Sequence, residues 1–230
     1  MEESNTLKNG RIYLGKDSTI ILGISPGNPQ YHNVQNLKSL FDFAQNHSTQ
    51  KILLFLTDKI SEHNYRAIGS SNPERSARVK ANRVRNKCNE TICLCNGQGR
   101  FQFINWSENV EVSGPYIDAL TCIKRLYEEN YTFQKDVVEC TKDALLSLKN
   151  GREKASIENG FNLQTKTIDL EEGVNYLLKE LAFLSVVNNI YHCSESVVLV
   201  YHKRWPVLEK YFDGGYDNIS KPFLGFHVMK

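Results

Sequence analysis

Ser25 lies in the stretch Gly23-Ile24-Ser25-Pro26-Gly27-Asn28, directly after the apolar run Thr19-Ile20-Ile21-Leu22. An apolar, β-branched run bounded by Pro-Gly reads as a buried strand ending in a tight turn. Open α/β sheets bind ligands at the carboxyl ends of their strands, so the Ser25 hydroxyl is a candidate nucleophile or substrate contact. A turn without chemistry is the competing reading, since Ser, Pro, Gly and Asn each favour turns. Tyr201-His202 closes another apolar run, residues 196–201, and by the same rule lies near Ser25. A Ser and a His together invite a serine esterase. That reading fits poorly: Pro26 lacks the backbone N–H that an oxyanion hole after the nucleophile needs, and no apolar helix follows the turn directly. His202 reads equally well as a surface residue.

Tyr176 and Glu180 are four residues apart and face the same way on a helix, within the apolar residues Leu177, Leu178, Leu181, Ala182, Phe183 and Leu184. Glu is rarely buried without a partner. Glu180 is therefore expected to hold a cation such as an ammonium group, or to have a raised pKa suited to proton transfer; a Lys or Arg at the helix edge is the competing partner. A third group is cationic. From Pro73 to Cys88 the apolar stripe is Ala77, Ala81, Val84 and Cys88, flanked by Arg75, Arg78 and Arg85 on one side and Lys80, Arg83 and Lys87 on the other, against the single acid Glu74. Such a row suits a phosphate backbone, which binds through charge and counterion release. No RRM or zinc-finger signature accompanies it, so sequence readout is not implied. A merely basic surface helix is the alternative.

The elements that must position these groups follow from periodicity. Continuous apolar runs at 19–24, 52–56 and 196–201 predict buried strands of a parallel sheet covered on both faces. Residues 34–45 form a helix with one buried face, making a right-handed βαβ unit with the first two strands. Residues 61–68 read as a short helix or loop. Thr91-Ile92-Cys93-Leu94-Cys95 and residues 100–106 read as a hairpin around the turn 96–99. Two helices are expected at 116–131 and 133–148, the second capped by Thr132 and stopped at Asn150-Gly151, with a loop over 151–168 centred on Gly160. Asp169 caps a long helix to about residue 191, with Glu172 close to a capping box. A last helix is expected around 207–211, and residues 1–17 are polar apart from Ile12-Tyr13-Leu14.

With 230 residues, the chain suits one domain, residues 1–230. Hydrophobic content of 40% with 23% charged residues is ordinary for a globular protein, and no apolar stretch approaches the ~18 residues of a membrane span. The acidic, polar start lacks the order of a signal peptide, so a cytoplasmic protein is expected. Six dispersed cysteines argue against a disulfide framework, and Cys88, Cys93 and Cys95 lack the paired spacing of a zinc site. No metal is expected. Net charge is only +2, so any nucleic-acid affinity must come from local placement.

The ordered set of Gly23-Ile24-Ser25-Pro26-Gly27-Asn28, the Arg/Lys helix from 75 to 87, Tyr176-x-x-x-Glu180-Leu181-x-Phe183 and Tyr201-His202 resembles the cyclodipeptide synthase family. The resemblance spans residues 19–202. It implies an α/β, Rossmann-type parallel sheet with helices on both faces, similar to the catalytic domain of tyrosyl and tryptophanyl tRNA synthetases. The chain has neither their HIGH-like nor their KMSKS-like signature, so no ATP activation and no cofactor is expected. The implied activity joins two aminoacyl-tRNA-borne amino acids into a cyclic dipeptide, a 2,5-diketopiperazine of secondary metabolism, through an aminoacyl-enzyme at Ser25. By the same resemblance Tyr176 and Glu180 bind the ammonium, Tyr201 positions the dipeptidyl intermediate, Asn28 contacts the aminoacyl group, and Tyr127 or Tyr131 assists, Tyr127 being on the apolar stripe. Ile21, Gly23, Phe183 and Leu199 are expected to line the first side-chain pocket, with His202 beside the substrate. Aminoacyl-tRNAs are the expected partners of a monomeric, non-membrane protein. A non-catalytic Rossmann-type RNA-binding module is the runner-up.

Overall fold

The computed structural model describes residues 16–158, 167–193, 197–216 and 224–228. Five parallel strands form one sheet in the order β3-β2-β1-β4-β5. The strands are β1 (Thr19–Ile24), β2 (Ile52–Leu56), β3 (Phe101–Phe103), β4 (Val197–Tyr201) and β5 (Leu224–Val228). Seven helices accompany them: α1 (Val34–His47), α2 (Ser61–Ala67), α3 (Pro73–Leu94), α4 (Gly114–Glu129), α5 (Tyr131–Glu158), α6 (Leu170–Tyr191) and α7 (Pro206–Phe212). Strands buried on both faces have no polar side to alternate, which is why β1, β2 and β4 read as unbroken apolar runs.

Alternation along each strand divides the core into two layers. Ile20, Leu22 and Ile24 of β1, with Ile52 and Leu54 of β2, pack against Leu37, Phe41 and Ala44 of α1 and Ala81, Val84 and Cys88 of α3. Ile21, Leu53, Phe55 and Leu199 face the other way, onto α4, α5, α6 and α7. Because α6 lies between the sheet and α4 and α5, eleven of its residues are buried, from Gly173 to Val187, giving no single apolar stripe. At Gly173 a Cβ would run into Leu145 and Thr141 of α5, so this glycine lets the two helices approach.

Several expectations need correction. Residues 91–94 do not form a hairpin strand; they continue α3, because Thr91 falls on the buried stripe begun by Ala77, Ala81, Val84 and Cys88. β3 is correspondingly short and pairs parallel to β2, not antiparallel to its predecessor. Asn130, not Thr132, caps α5, its side chain accepting from the Phe133 N–H at 2.9 Å. The helix then runs through Asn150-Gly151, so 151–158 is helical and not loop; Gly160, like Ile12-Tyr13-Leu14 and Ser196, lies outside the described residues. Asp169 does cap α6, accepting from the N–H groups of Glu171 (3.1 Å) and Glu172 (3.3 Å). No capping box closes, because the Asp169 N–H goes to the Ala67 carbonyl and Glu172 pairs with His63 and Arg66 of α2.

Asp169 thus joins the start of α6 to the end of α2. Asp169→Ala should lower unfolding stability by about 1 kcal/mol through loss of the cap, read as a shift in urea midpoint with unchanged slope; no shift would show that the tertiary contacts of α6 make the cap dispensable.

Candidate active site

Ser25 opens a four-residue turn closed by the Asn28 N–H donating to the Ser25 carbonyl at 3.0 Å. Pro26 supplies the fixed φ for its first corner, and Gly27 is not in the left-handed region, so the turn is of type I character and glycine is not demanded by backbone strain. Gly23 is a different case. A Cβ there would collide with the ring of Tyr201, which fills the space beside it. The Gly23 carbonyl accepts from the Tyr31 hydroxyl at 3.0 Å, and Tyr31 also meets His202 Nδ1 at 3.1 Å. A carbonyl can only accept, so the Tyr31 proton goes to Gly23 and His202 Nδ1–H donates to Tyr31. Burial, assisted by Lys203, pushes the His202 pKa down to about 4, which leaves the imidazole neutral. His202 therefore braces the end of β1 through Tyr31 and lies tilted against the Tyr201 ring (4.2 Å between centroids). That engagement counts against its use as the base of a serine esterase.

Tyr201 has its pKa raised well above the ordinary phenol, first by burial and then by Glu180 and Tyr31; the Ser25 hydroxyl acts in the opposite direction as a hydrogen-bonding neighbour. The phenol stays protonated beside Ser25. Tyr176, 8% exposed, is likewise raised, by burial first and then by Glu180 and Tyr201, with Thr57 at the end of β2 opposing. Glu180 is 5% exposed. Burial lifts its pKa to about 7, opposed only by the Tyr176 hydroxyl, and its Oε2 has no hydrogen-bond partner among the described residues. Among the described residues no Lys or Arg pairs with it. The edge-cation alternative is therefore not what the structure shows; the carboxyl stands ready for an external cation or a proton.

Ile21 and Leu199 are register partners on β1 and β4, and both belong with Phe183 to the apolar layer under α6. Phe183 packs on Phe55 at 5.0 Å and Trp106 at 5.5 Å. Gly23, Ser25, Tyr176, Glu180 and Tyr201 thus meet toward the carboxyl ends of β1 and β4, while Ile21, Leu199 and Phe183 lie deeper in the same apolar layer. Asn28 lies beside them, but its side-chain carbonyl accepts from the Gln30 N–H at 3.0 Å, capping the short 3₁₀ turn Pro29–His32. Tyr127 is half-buried against the apolar layer, whereas Tyr131 is 77% exposed. Tyr127 is raised by burial and then by Glu171, at the start of α6, not by Glu180. Tyr31 and Thr57 were not anticipated from the sequence. Thr57 ends a buried strand and the carboxyl-end rule points to it; Tyr31 acts through contacts that no local pattern reveals.

The basic row divides into two sets. Arg85 pairs with Asp58 at 2.8 Å and lies over the Phe103 ring, and Lys87 pairs with Glu90 at 2.8 Å. Lys80 sits over the Tyr65 ring. Arg75, Arg78 and Arg83 are exposed and carry no ion pair among the described residues. Cys88, Cys93 and Cys95 are free thiols, and no cluster of three or more His, Cys, Asp or Glu that could hold a metal is found among the described residues. No described helix is long and apolar enough to cross a membrane.

The family model described as cyclodipeptide synthase matches residues 5–230. The chain belongs to the cyclodipeptide synthase family. It is accordingly a tRNA-dependent enzyme that makes cyclic dipeptides from aminoacyl-tRNA. Similar folds are a cyclodipeptide synthase from Bacillus thermoamylovorans (TM-score 0.74, 22% identity, 94% of this chain and 90% of that one) and another from Staphylococcus haemolyticus (0.69, 21%, 93% and 92%). A third is a Mycobacterium tuberculosis protein whose structure relates cyclodipeptide synthetases to type I tRNA synthetases (0.69, 16%, 96% and 94%). No curated protein matches the chain in sequence. The Rossmann-type sheet expected from the sequence is the fold of this synthase.

Glu180 makes stability depend on pH in a direction opposite to a paired carboxylate. Its folded pKa of about 7 lies above the ordinary 4.5, so stability is lost as pH rises from about 4.5 and the loss is complete above about 7. Glu180→Gln removes this dependence. The variant should match wild type near pH 4.5 and exceed it by roughly 3 kcal/mol at pH 8, measured by urea unfolding; a difference that does not change with pH would show that Glu180 titrates normally.

Proposed function

We propose that Ser25 is the acyl carrier of the reaction. Its Oγ attacks the ester carbonyl of the first aminoacyl-tRNA, its proton passes to the departing 3′-oxygen of the tRNA, and an aminoacyl-enzyme ester remains, dividing the transfer into two easier steps. An ester replaces an ester, so the activation stored in the substrate is kept. Pro26 has no N–H and the Asn28 N–H is used by the turn. The Tyr201 hydroxyl, kept protonated by burial, is the donor beside Ser25 that stabilises the developing oxyanion and later positions the dipeptidyl ester.

Tyr176 and Glu180 take the ammonium of the held aminoacyl group. This reading rests on one observation: a carboxyl buried among leucines with an oxygen that has no partner, and no cation beside it, among the described residues. When the amine attacks the ester carbonyl of the second aminoacyl-tRNA, an amide bond forms, the bond to the tRNA 3′-oxygen breaks, and Glu180, with a pKa of about 7, takes the proton shed by the amine and can return it to that departing oxygen. The new dipeptidyl ester is then attacked by its own free amine, closing the six-membered ring and releasing Ser25. Asn28 reaches the aminoacyl group through its amide NH₂, Tyr127 assists from α4, and His202 holds the turn through Tyr31. Ile21, Gly23, Phe183 and Leu199 border an apolar pocket for the first side chain, which discriminates modestly, since a methylene is worth ~1–3 kcal/mol.

The exposed Arg75, Arg78 and Arg83 provide the main phosphate contacts, with Lys80 and Lys87 beside them. Arg85 is held by Asp58 and joins a phosphate only by giving up that pair.

Incubation with a charged tRNA carrying a labelled amino acid should leave label on wild-type protein and none on Ser25→Ala, with diketopiperazine absent from Ser25→Ala cultures by mass spectrometry; label retained on the variant would exclude Ser25 as carrier. Replacing Arg75, Arg78 and Arg83 together by Ala should raise KM for aminoacyl-tRNA and flatten its log–log salt dependence by about 2 to 3. An unchanged slope would remove these side chains from the tRNA path.

A further inference from the structure

A second cavity opens at the carboxyl ends of β2 and β3, beside the catalytic cluster and not part of it. It has a volume of about 190 Å³ and lies between α2, the first half of α3 and the single π turn Trp106–Val110. Asp58, Glu62 and Glu74 bring carboxylates to it, Lys59, Arg78 and Asn82 bring donors, and Trp106 lines it. The Trp106 indole N–H is buried without an acceptor among the described residues. Thr57, the residue before Asp58, contacts Tyr176, so the end of β2 has the catalytic cluster on one side and this cavity on the other. Ile24 and Leu56 are register partners, which sets Ser25 and Thr57 level on neighbouring strands, about 5 Å apart.

We propose that this cavity holds the 3′-terminal nucleoside of the aminoacyl-tRNA while its ester reaches Ser25. The inference rests on the reading of Ser25 as acyl acceptor. Asp58 is already paired with Arg85, and Lys59 and Arg78 also line the cavity, so its charge is close to balanced and favours a neutral occupant over a phosphate; Glu62 and Glu74 are the carboxylates left to accept hydrogen bonds. They suit a neutral group rich in donors, as ribose hydroxyls and an exocyclic amine are, while Asn82 offers both a donor and an acceptor to a base edge and the indole N–H one donor. The volume is below the roughly 300–1,000 Å³ of sites for drug-sized ligands and suits a single nucleoside. Position decides between this occupant and an amino-acid ammonium. The cavity is bounded by α3, so a nucleoside seated here sends its 5′-phosphate out along the exposed Arg75, Arg78 and Arg83, whereas the ammonium already has Glu180.

The test uses the full chain and a tRNA ending in 8-azidoadenosine, its amino acid attached as a non-transferable 3′-amide. Irradiation followed by peptide mapping should find the cross-link on residues 58–62, 74–82 or 105–107. A cross-link confined to other peptides overturns the proposal and leaves the synthase reading intact. Wild-type protein given ordinary charged tRNA in parallel reports on that reading separately, since absence of diketopiperazine there counts against it and not against the cavity alone. As a kinetic arm, Asn82→Trp fills the cavity from an exposed position and should raise KM for aminoacyl-tRNA about ten-fold or more, with melting temperature and saturated rate unchanged. Asn82→Ala, which only removes the amide, should raise KM several-fold; unchanged KM in both variants overturns the assignment.

Discussion

The pairing of β1 with β4 is the constraint on which the site depends. Thr19 lies against Val197 and Leu22 against Val200 in parallel register, although the two strands are far apart in sequence. The chain moves outward from β1 to β2 and β3 on one side and from β4 to β5 on the other, so the crossovers diverge at this pair and leave a crevice at its carboxyl end. Ser25 and Tyr201 stand at that crevice because each is the end of one of the two strands. Close pairing also explains Gly23: the Tyr201 ring occupies the space a side chain there would need, and the buried carbonyl of Gly23 accepts from the Tyr31 hydroxyl.

The second requirement is electrostatic, and α6 illustrates it with two carboxylates. Burial works to raise the pKa of Glu172, but the hydrogen bonds from His63 at 2.6 Å and from Arg66 more than offset it, and its pKa falls below the ordinary value. Two turns further on, Glu180 is more deeply buried and has only a neutral phenol in opposition, so its pKa rises. One helix therefore carries a carboxylate that fixes α2 to α6 and a carboxyl that no Lys or Arg balances among the described residues. The difference is made by the neighbours that tertiary packing brings, not by the helix itself.

Much of this arrangement is legible in the chain. Strands buried on both faces appear as unbroken apolar runs, so β1, β2 and β4 and the sites at their ends could be read directly, as could Tyr176 and Glu180 from their spacing. The hairpin expected at 91–106 was misread because a five-residue apolar run has no period of its own; only its alignment with Ala77, Ala81, Val84 and Cys88 marks it as helix. Asn150-Gly151 looks like a stop signal, yet α5 is held by packing on α6 and continues through it. The brace of Tyr31 on Gly23 and His202 joins residues distant in sequence and has no local signature.

The basic helix shows why composition alone misassigns charge. Six cations flank the apolar stripe of α3, and by periodicity they look alike. Arg85 faces the end of β2 and finds Asp58, so its charge is balanced and its guanidinium is fixed over Phe103. A phosphate could recruit it only by breaking that pair, whereas Arg75, Arg78 and Arg83 have no ion pair to give up among the described residues. Counterion release rewards the cations that enter the complex unpaired. The effective cationic face of α3 is therefore narrower than the sequence implies and lies toward its amino-terminal half, the half that borders the cavity beside the catalytic crevice.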